Sequence, residues 1–186
     1  MRLLTVRTIL LMSLIGLMPL SASALGLGVG AKLGVGSATQ DDVDSDLSAF
    51  MLVGNFDLVL LAVEGNLGWI RTQLSDDDKS FTDEMSATVL AKFGMPVIPG
   101  LVSVDLGAGL DQRFVLGAEA GGQDSKLSGR RTLIPLSLQV SGSVLLARLY
   151  GEMRYNYELS NDLEVDGNGV DAEARNELLF LVGATF

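Results

Sequence analysis

The chain contains no cysteine and no histidine. The first absence rules out a disulfide framework and thiol chemistry. The second removes the side chain most often used as a general base near neutral pH. Basic residues are also few, 13 against 23 acidic, for a net charge of −10, which makes a nucleic-acid partner unfavourable. Beyond the first two dozen residues, no stretch approaches the ~18 consecutive apolar residues of a transmembrane helix. Yet 48% of the residues are hydrophobic and the mean hydropathy is +0.37. A chain this apolar, without long apolar runs, must hide its hydrophobic residues in a pattern.

Arg2 and Arg7 flank the start of the segment ILLMSLIGLMPL, which is followed by SASA. The order basic, apolar, small-residue is that of a secretory signal peptide, with Ala22-Ser23-Ala24 fitting the small-x-small cleavage pattern. Residues 1–24 are therefore expected to be a signal peptide and 25–186 the functional domain. That domain carries 11 basic and 23 acidic residues, a net charge of −12.

The mature segment opens LGLGVGAKLGVG, with Leu25, Leu27, Val29, Ala31, Leu33 and Val35 on one face and five glycines and Lys32 on the other. Period 2 held for twelve residues predicts a strand whose faces meet different environments. Soluble strands average about 5–6 residues, whereas tilted membrane-spanning strands need about 9–11. The pattern recurs over about 47–56, 59–70, 84–95, 101–110, 132–140, 144–157 and 174–186, giving eight strands. Short connections at Asp57-Leu58, Pro96–Gly100 and Ser141–Ser143 alternate with long polar ones at about 37–46, 71–83, 111–131 and 158–173. That alternation, with an even strand count, predicts an all-β, up-and-down antiparallel transmembrane β-barrel of eight strands. The polar face carries charge or glycine on nearly every strand, so the apolar face is expected outside, against lipid.

Aromatic residues fit this orientation. Phe50, Trp69, Tyr155 and Tyr157 fall at the loop ends of their strands, and Phe56, Phe93 and Phe186 at the turn ends, predicting two interfacial girdles. The ending LLFLVGATF, with its terminal phenylalanine, resembles that of the small eight-stranded outer-membrane barrels typified by the OmpA membrane domain and OmpX. The segment LYGEMRYNYELSND resembles the penultimate strand of generic porin-family sequences. The resemblance implies location in the outer membrane of a Gram-negative bacterium. It also implies that Phe186 is an assembly signal read by the barrel-assembly machinery.

Eight strands enclose an interior that side chains fill. Strand parity places Lys32, Lys92, Arg148, Arg154 and Arg175 inside, with Glu64, Glu84, Asp105, Glu152 and Glu177. Buried charges persist only when paired, so five cations facing five anions read as a salt-bridged plug, whereas rings of one sign would read as a selective pore. The expected function is a structural and surface-interaction barrel, monomeric and not an enzyme, acting through acidic external loops. The alternative is a small gated channel or transporter of small or apolar solutes. Outer-membrane lipids and lipopolysaccharide are the expected partners, with Arg71, Lys79, Lys126, Arg130 and Arg131 placed to meet lipid phosphates. No cofactor is expected. Asp162, Glu164, Asp166 and Glu173 partly match the spacing of a calcium-binding loop, with Glu164 and Gly169 departing from it, and a solvated acidic loop is the preferred reading. The glycines of residues 26–36 are read as small lining residues that leave room for long neighbours such as Arg148.

Overall fold

The computed structural model describes residues 26–40, 43–58, 60–74, 80–165, 168–170 and 174–186; the expected signal peptide lies outside them. The strands are β1 (Leu27–Gln40), β2 (Val43–Leu58), β3 (Leu61–Leu74), β4 (Phe81–Ile98), β5 (Val102–Ala120), the short β6 (Gln123–Ser125), β7 (Leu127–Val144), β8 (Ala147–Val165), the short β9 (Asn168–Val170) and β10 (Asn176–Thr185). Each long strand pairs antiparallel with the next. β10 pairs with both β8 and β1, which closes eight strands into a ring. At the turn end, Val29 and Phe186 exchange both backbone hydrogen bonds (3.1 and 2.9 Å), which fastens the last residue to the first strand.

The two faces of this barrel are reversed relative to a soluble protein. Val35, Val182 and Leu67 are 64–65% exposed, while Lys32, Glu84, Arg113, Arg154 and Glu177 are 0–1% exposed. Water would penalise both halves of that arrangement. A bilayer penalises neither, because lipid covers the apolar face and the strands satisfy each other's backbone groups. Phe50, Phe56, Trp69, Phe93, Tyr155, Tyr157 and Phe186 all lie on the outward face.

Several segments expected to be loops are strand. Most of residues 37–46, 71–83, 111–131 and 158–173 continue the hairpins, and the long strands reach 14–19 residues apart from β10. A spanning strand needs only about 9–11, so the hairpins project past the membrane. There polar residues such as Ser160 and Asp162 enter the outward face, and the hydropathy alternation that reveals a strand fades, although Phe114 and Leu116 keep it on β5. The turn expected at Ser141–Ser143 is also displaced: these residues belong to β7, and the turn is Leu145–Leu146. Ser141 faces the lumen, 3% exposed, so its polarity marks the interior and not a turn.

Gly28 and Gly34 of β1 make room for lining side chains as expected, those of Asn55 and Leu181, whereas Gly30 and Gly36 have a different role. A Cβ on Gly30 would lie 1.8 Å from the carbonyl oxygen of Ala184, and one on Gly36 would lie 2.1 Å from that of Leu178. These glycines allow the backbones of β1 and β10 to approach where the barrel closes; they do not make room for Arg148. The interior is also less uniformly polar than the alternation suggests. Leu47, Ala49 and Met51 of β2 point inward and pack with Ala38, Ile70, Leu179 and Leu181 as a dry patch on one wall.

Candidate functional site

The site is the lumen. Among the described residues its walls bury Lys32, Lys92, Arg113, Arg131, Arg154 and Arg175 with Glu64, Glu84, Asp105, Asp111, Glu152, Glu158 and Glu177. Arg148, half-buried at the turn-end mouth, adds the seventh cation to seven anions. The interior is thus electrically balanced, and the excess negative charge of the domain sits elsewhere.

The lower cluster is built from strands that alternate inward at matching heights. Lys32 of β1 donates to Glu64 of β3 and, at 2.5 Å, to Glu152 of β8. Lys92 of β4 donates to Glu64 at 2.7 Å and to Gln139 at 2.8 Å. Arg154 lies 2.8 Å from Glu152 and 3.6 Å from Glu64. Two carboxylates therefore hold three cations from three strands, and each carboxylate serves all three. The Tyr150 ring lies against Gly183, where a Cβ would meet it at 2.8 Å, and its centroid is 5.1 Å from the Lys32 ammonium.

Nearer the turns, Arg148 donates to Ser141 (2.8 Å) and Ser103 (2.7 Å) and pairs with Asp105 (3.2 Å) and Asp57 (3.4 Å). It does not reach Glu64 or Glu152. Arg148, Asp105 and Asp57, with Asn55, Lys92, Glu64 and Tyr150, line a vestibule of about 110 Å³ that Leu60 and Leu61 also border.

The upper cluster comprises Glu84, Arg175 and Glu177, which parity had placed inside, and four residues that it missed. Arg113 grips Glu177 with two hydrogen bonds of 2.6 Å and donates to Asp111 at 2.9 Å. Arg175 bridges Glu84 (2.8 Å) and Glu177 (2.6 Å). Its backbone N–H donates to Glu158 at 2.6 Å. Arg131 lies 3.6–3.7 Å from Glu158 and Glu84. Asp111 accepts from Ser86 (2.6 Å) and Thr88 (3.0 Å). Asp111, Arg113, Arg131 and Glu158 lie in segments whose polarity in the sequence is that of loops, and the structure places them on β5, β7 and β8. The signal was there: Leu110, Phe114 and Leu116 extend the outward row of β5, which puts Asp111 and Arg113 inside. Arg131 shares the parity of Ser137 and Gln139.

The placement of Arg131 corrects its assignment to the lipid-facing cations. Of the others, Arg71 faces outward, gripping Asp83 with hydrogen bonds of 2.7 and 2.8 Å and lying 4.2 Å from the Phe81 ring centre. Arg130 is exposed and 3.5 Å from Asp162, and Lys79 lies outside the described residues. The calcium-loop candidates divide similarly. Asp162 and Glu164 stand on strand β8, not in a loop, and Asp166 and Glu173 fall outside the described residues. Among the described residues no three carboxylates gather as metal ligands.

No family model and no curated protein matches the sequence. Solved structures do share the fold. Neisserial surface protein A aligns with a TM-score of 0.66 at 17% identity, over 86% of this chain and 96% of its own. The outer membrane protein OprG of Pseudomonas aeruginosa gives 0.56 at 9% identity, over 86% and 94%. Ail, the attachment invasion locus protein of Yersinia pestis, gives 0.53 at 13% identity, over 86% and 97%. The likeness is one of fold, that of the small eight-stranded outer-membrane barrels. An apolar exterior on such a ring is one that a bilayer covers, as it does for the outer-membrane barrels that share the fold.

Proposed function

We propose that this outer-membrane barrel is a closed structural and surface-interaction protein, whose lumen is sealed by its own ion pairs and whose projecting hairpins present an acidic face. The observation that carries this reading is the balanced interior: seven cations and seven anions, in which every cation, and Glu64, Glu84, Glu152 and Glu177 among the anions, has more than one ion-pair partner. A conducting pore favours charges of one sign lining open water. Here the charges consume one another, and side chains occupy the axis at both levels. Catalysis finds no support, since the buried carboxylates are engaged by cations and histidine is lacking.

Lipid and lipopolysaccharide are the proposed surroundings of the outer face. Arg71 and Arg130 support this reading: both face outward near the Trp69–Met85–Phe114 row, and Arg130 is opposite Phe114. There they can meet lipid phosphates while paired with Asp83 and Asp162.

The second reading, a small gated channel, draws on the vestibule, which reaches from the turn end to Glu64 and Lys92. Conductance of the refolded mature chain in a planar bilayer decides between the two. Silence from folded protein supports the sealed barrel; reproducible channel steps replace it with the channel. Recording with and without Ca²⁺ adds whether the acidic external face controls any such steps.

A further inference from the structure

The turn-end rim has the wrong chemistry for water. Hairpin β2–β3 ends in Leu60 and Leu61, β4–β5 in Val97 and Leu101, and β7–β8 in Leu145 and Leu146, and all six are 48–100% exposed. Turns that face solvent are normally built from glycine, asparagine, aspartate and serine. Leu145 sharpens the point. It is fully exposed, and its φ of +54° is in the left-handed region, which favours glycine or asparagine. Fully exposed, its side chain gains nothing from the described residues to offset that backbone conformation, which an apolar environment outside the chain can do.

We propose that the turn-end rim is a lipid-contact surface, with the three turns seated at the boundary between acyl chains and headgroups of the inner leaflet. Continuity with the lipid-facing belt identifies the occupant. Past Phe56 and Phe93, the outward row runs through Leu58, Met95 and Val97 onto the turns without a charged side chain. The span of the first hairpin agrees. Trp69 and Leu61 mark the ends of the outward apolar row of β3. At about 3.3 Å per residue and a tilt of about 40° they are about 20 Å apart along the axis, against an apolar band of about 25 Å. The turn makes up the difference. The charged groups of this end, Asp57 and Arg148, pair with each other at 3.4 Å and line the vestibule. Leu60 and Leu61 also border the vestibule, so the apolar perimeter runs up to the polar mouth: lipid can lap the outer side of the rim while the mouth stays wet.

The test places a single tryptophan on the rim of the whole mature chain, refolded into phosphatidylcholine vesicles. Trp69 is the only native tryptophan, so Trp69→Phe provides the silent background. Leu146→Trp and, on a separate hairpin, Val97→Trp are the two probes, with Val89→Trp in the belt as the lipid reference. Each is read with brominated phosphatidylcholine and with acrylamide on both sides of the membrane. The expected result is bromolipid quenching of both rim probes to at least half that of the belt reference, with little acrylamide quenching. Strong acrylamide quenching without bromolipid quenching, in protein whose circular dichroism shows the folded barrel, overturns the proposal. It would leave the rim as a surface for a protein partner. Two probes on different hairpins guard against one of them disturbing its own turn.

Discussion

Arg113 on β5 donates two hydrogen bonds of 2.6 Å to the carboxylate of Glu177 on β10, a strand three places away around the ring. A paired-fork contact of this kind fixes direction as well as distance. Because it crosses the lumen, it ties together walls that share no backbone hydrogen bonds. Both side chains are buried, so the pair behaves as a strut inside the barrel.

Breaking that strut from one side should be expensive. Arg113→Met leaves Asp111 and Glu177 short of a cation, and Glu177→Gln leaves Arg113 and Arg175 short of an anion. Removing one partner of a buried pair typically costs about 3–5 kcal/mol, whereas replacing both by apolar residues is often close to neutral. The expected outcome is a large fall in unfolding free energy for either single variant. Part of it should return in the double variant Arg113→Met, Glu177→Gln, which still leaves the buried Asp111 without its cation. Denaturant unfolding in lipid vesicles measures all three. A double variant no more stable than the worse single one would show that the two residues are not an energetic unit.

The lower cluster makes a prediction about permeation. Glu64 and Glu152 together hold Lys32, Lys92 and Arg154. Changing both to glutamine leaves three mutually repelling cations in the narrowest company of the barrel. The variant is expected to melt at a lower temperature, to conduct, or both. Any current should prefer anions, because the remaining lining is positive. Reversal potential under a KCl gradient reads the sign. If melting temperature and conductance both match the parent, the lower cluster is not what closes the lumen.

The sequence disclosed this architecture through period 2, and it did so best where the two faces meet lipid and lumen. Met85, Val89 and Phe93 against Ser86, Thr88 and Lys92 leave no doubt about β4. It failed where one environment ends. Beyond Leu159 the outward face of β8 is wetted, so Ser160 and Asp162 resemble loop residues and hide Glu158; on β5 the outward Gln112, level with Ala87, interrupts the apolar row and hides Asp111 and Arg113. Ser141 and Ser143 failed in the opposite direction, because small polar residues that line a lumen have the composition of a turn. Partner choice was the least legible feature. Parity puts Arg148 inside, but only its side-chain contacts show it two inward positions below Glu152 and paired with Asp105 and Asp57. The apolar patch around Met51 was hidden for another reason: an inward leucine or methionine on β2 looks the same in sequence as an outward one.

Barrel closure supplies a test of backbone proximity. Alanine at Gly30 would put its Cβ 1.8 Å from the Ala184 carbonyl, whereas Gly151 has nothing within 4 Å of that position. Gly30→Ala must push β1 away from β10 or fail to close, so folding yield in vesicles and unfolding free energy should fall by about 2–3 kcal/mol or more. Gly151→Ala should stay within about 0.5 kcal/mol of the parent. Equal behaviour of the two variants would mean that the seam has slack.

The lipid belt can be tested by moving one arginine along the outer face. Val89 is 58% exposed and stands midway between Met85 and Phe93 on β4, near the centre of the belt; Leu159, 59% exposed, lies two residues beyond Tyr157 on β8. If water surrounded the barrel, these equally exposed positions would accept arginine equally, each within about 0.5 kcal/mol. In a bilayer the cost depends on depth. Arginine at the midplane of a membrane barrel costs about 2–4 kcal/mol, falling to about 0–1 near the interface. Val89→Arg is therefore expected to lose at least 2 kcal/mol more than Leu159→Arg when both unfold from the same vesicles. That gap should shrink in a detergent micelle, which deforms to let the guanidinium reach water. Equal costs in vesicles would mean that Val89 is not at depth, and the assignment of the exposed apolar face to lipid would have to be withdrawn.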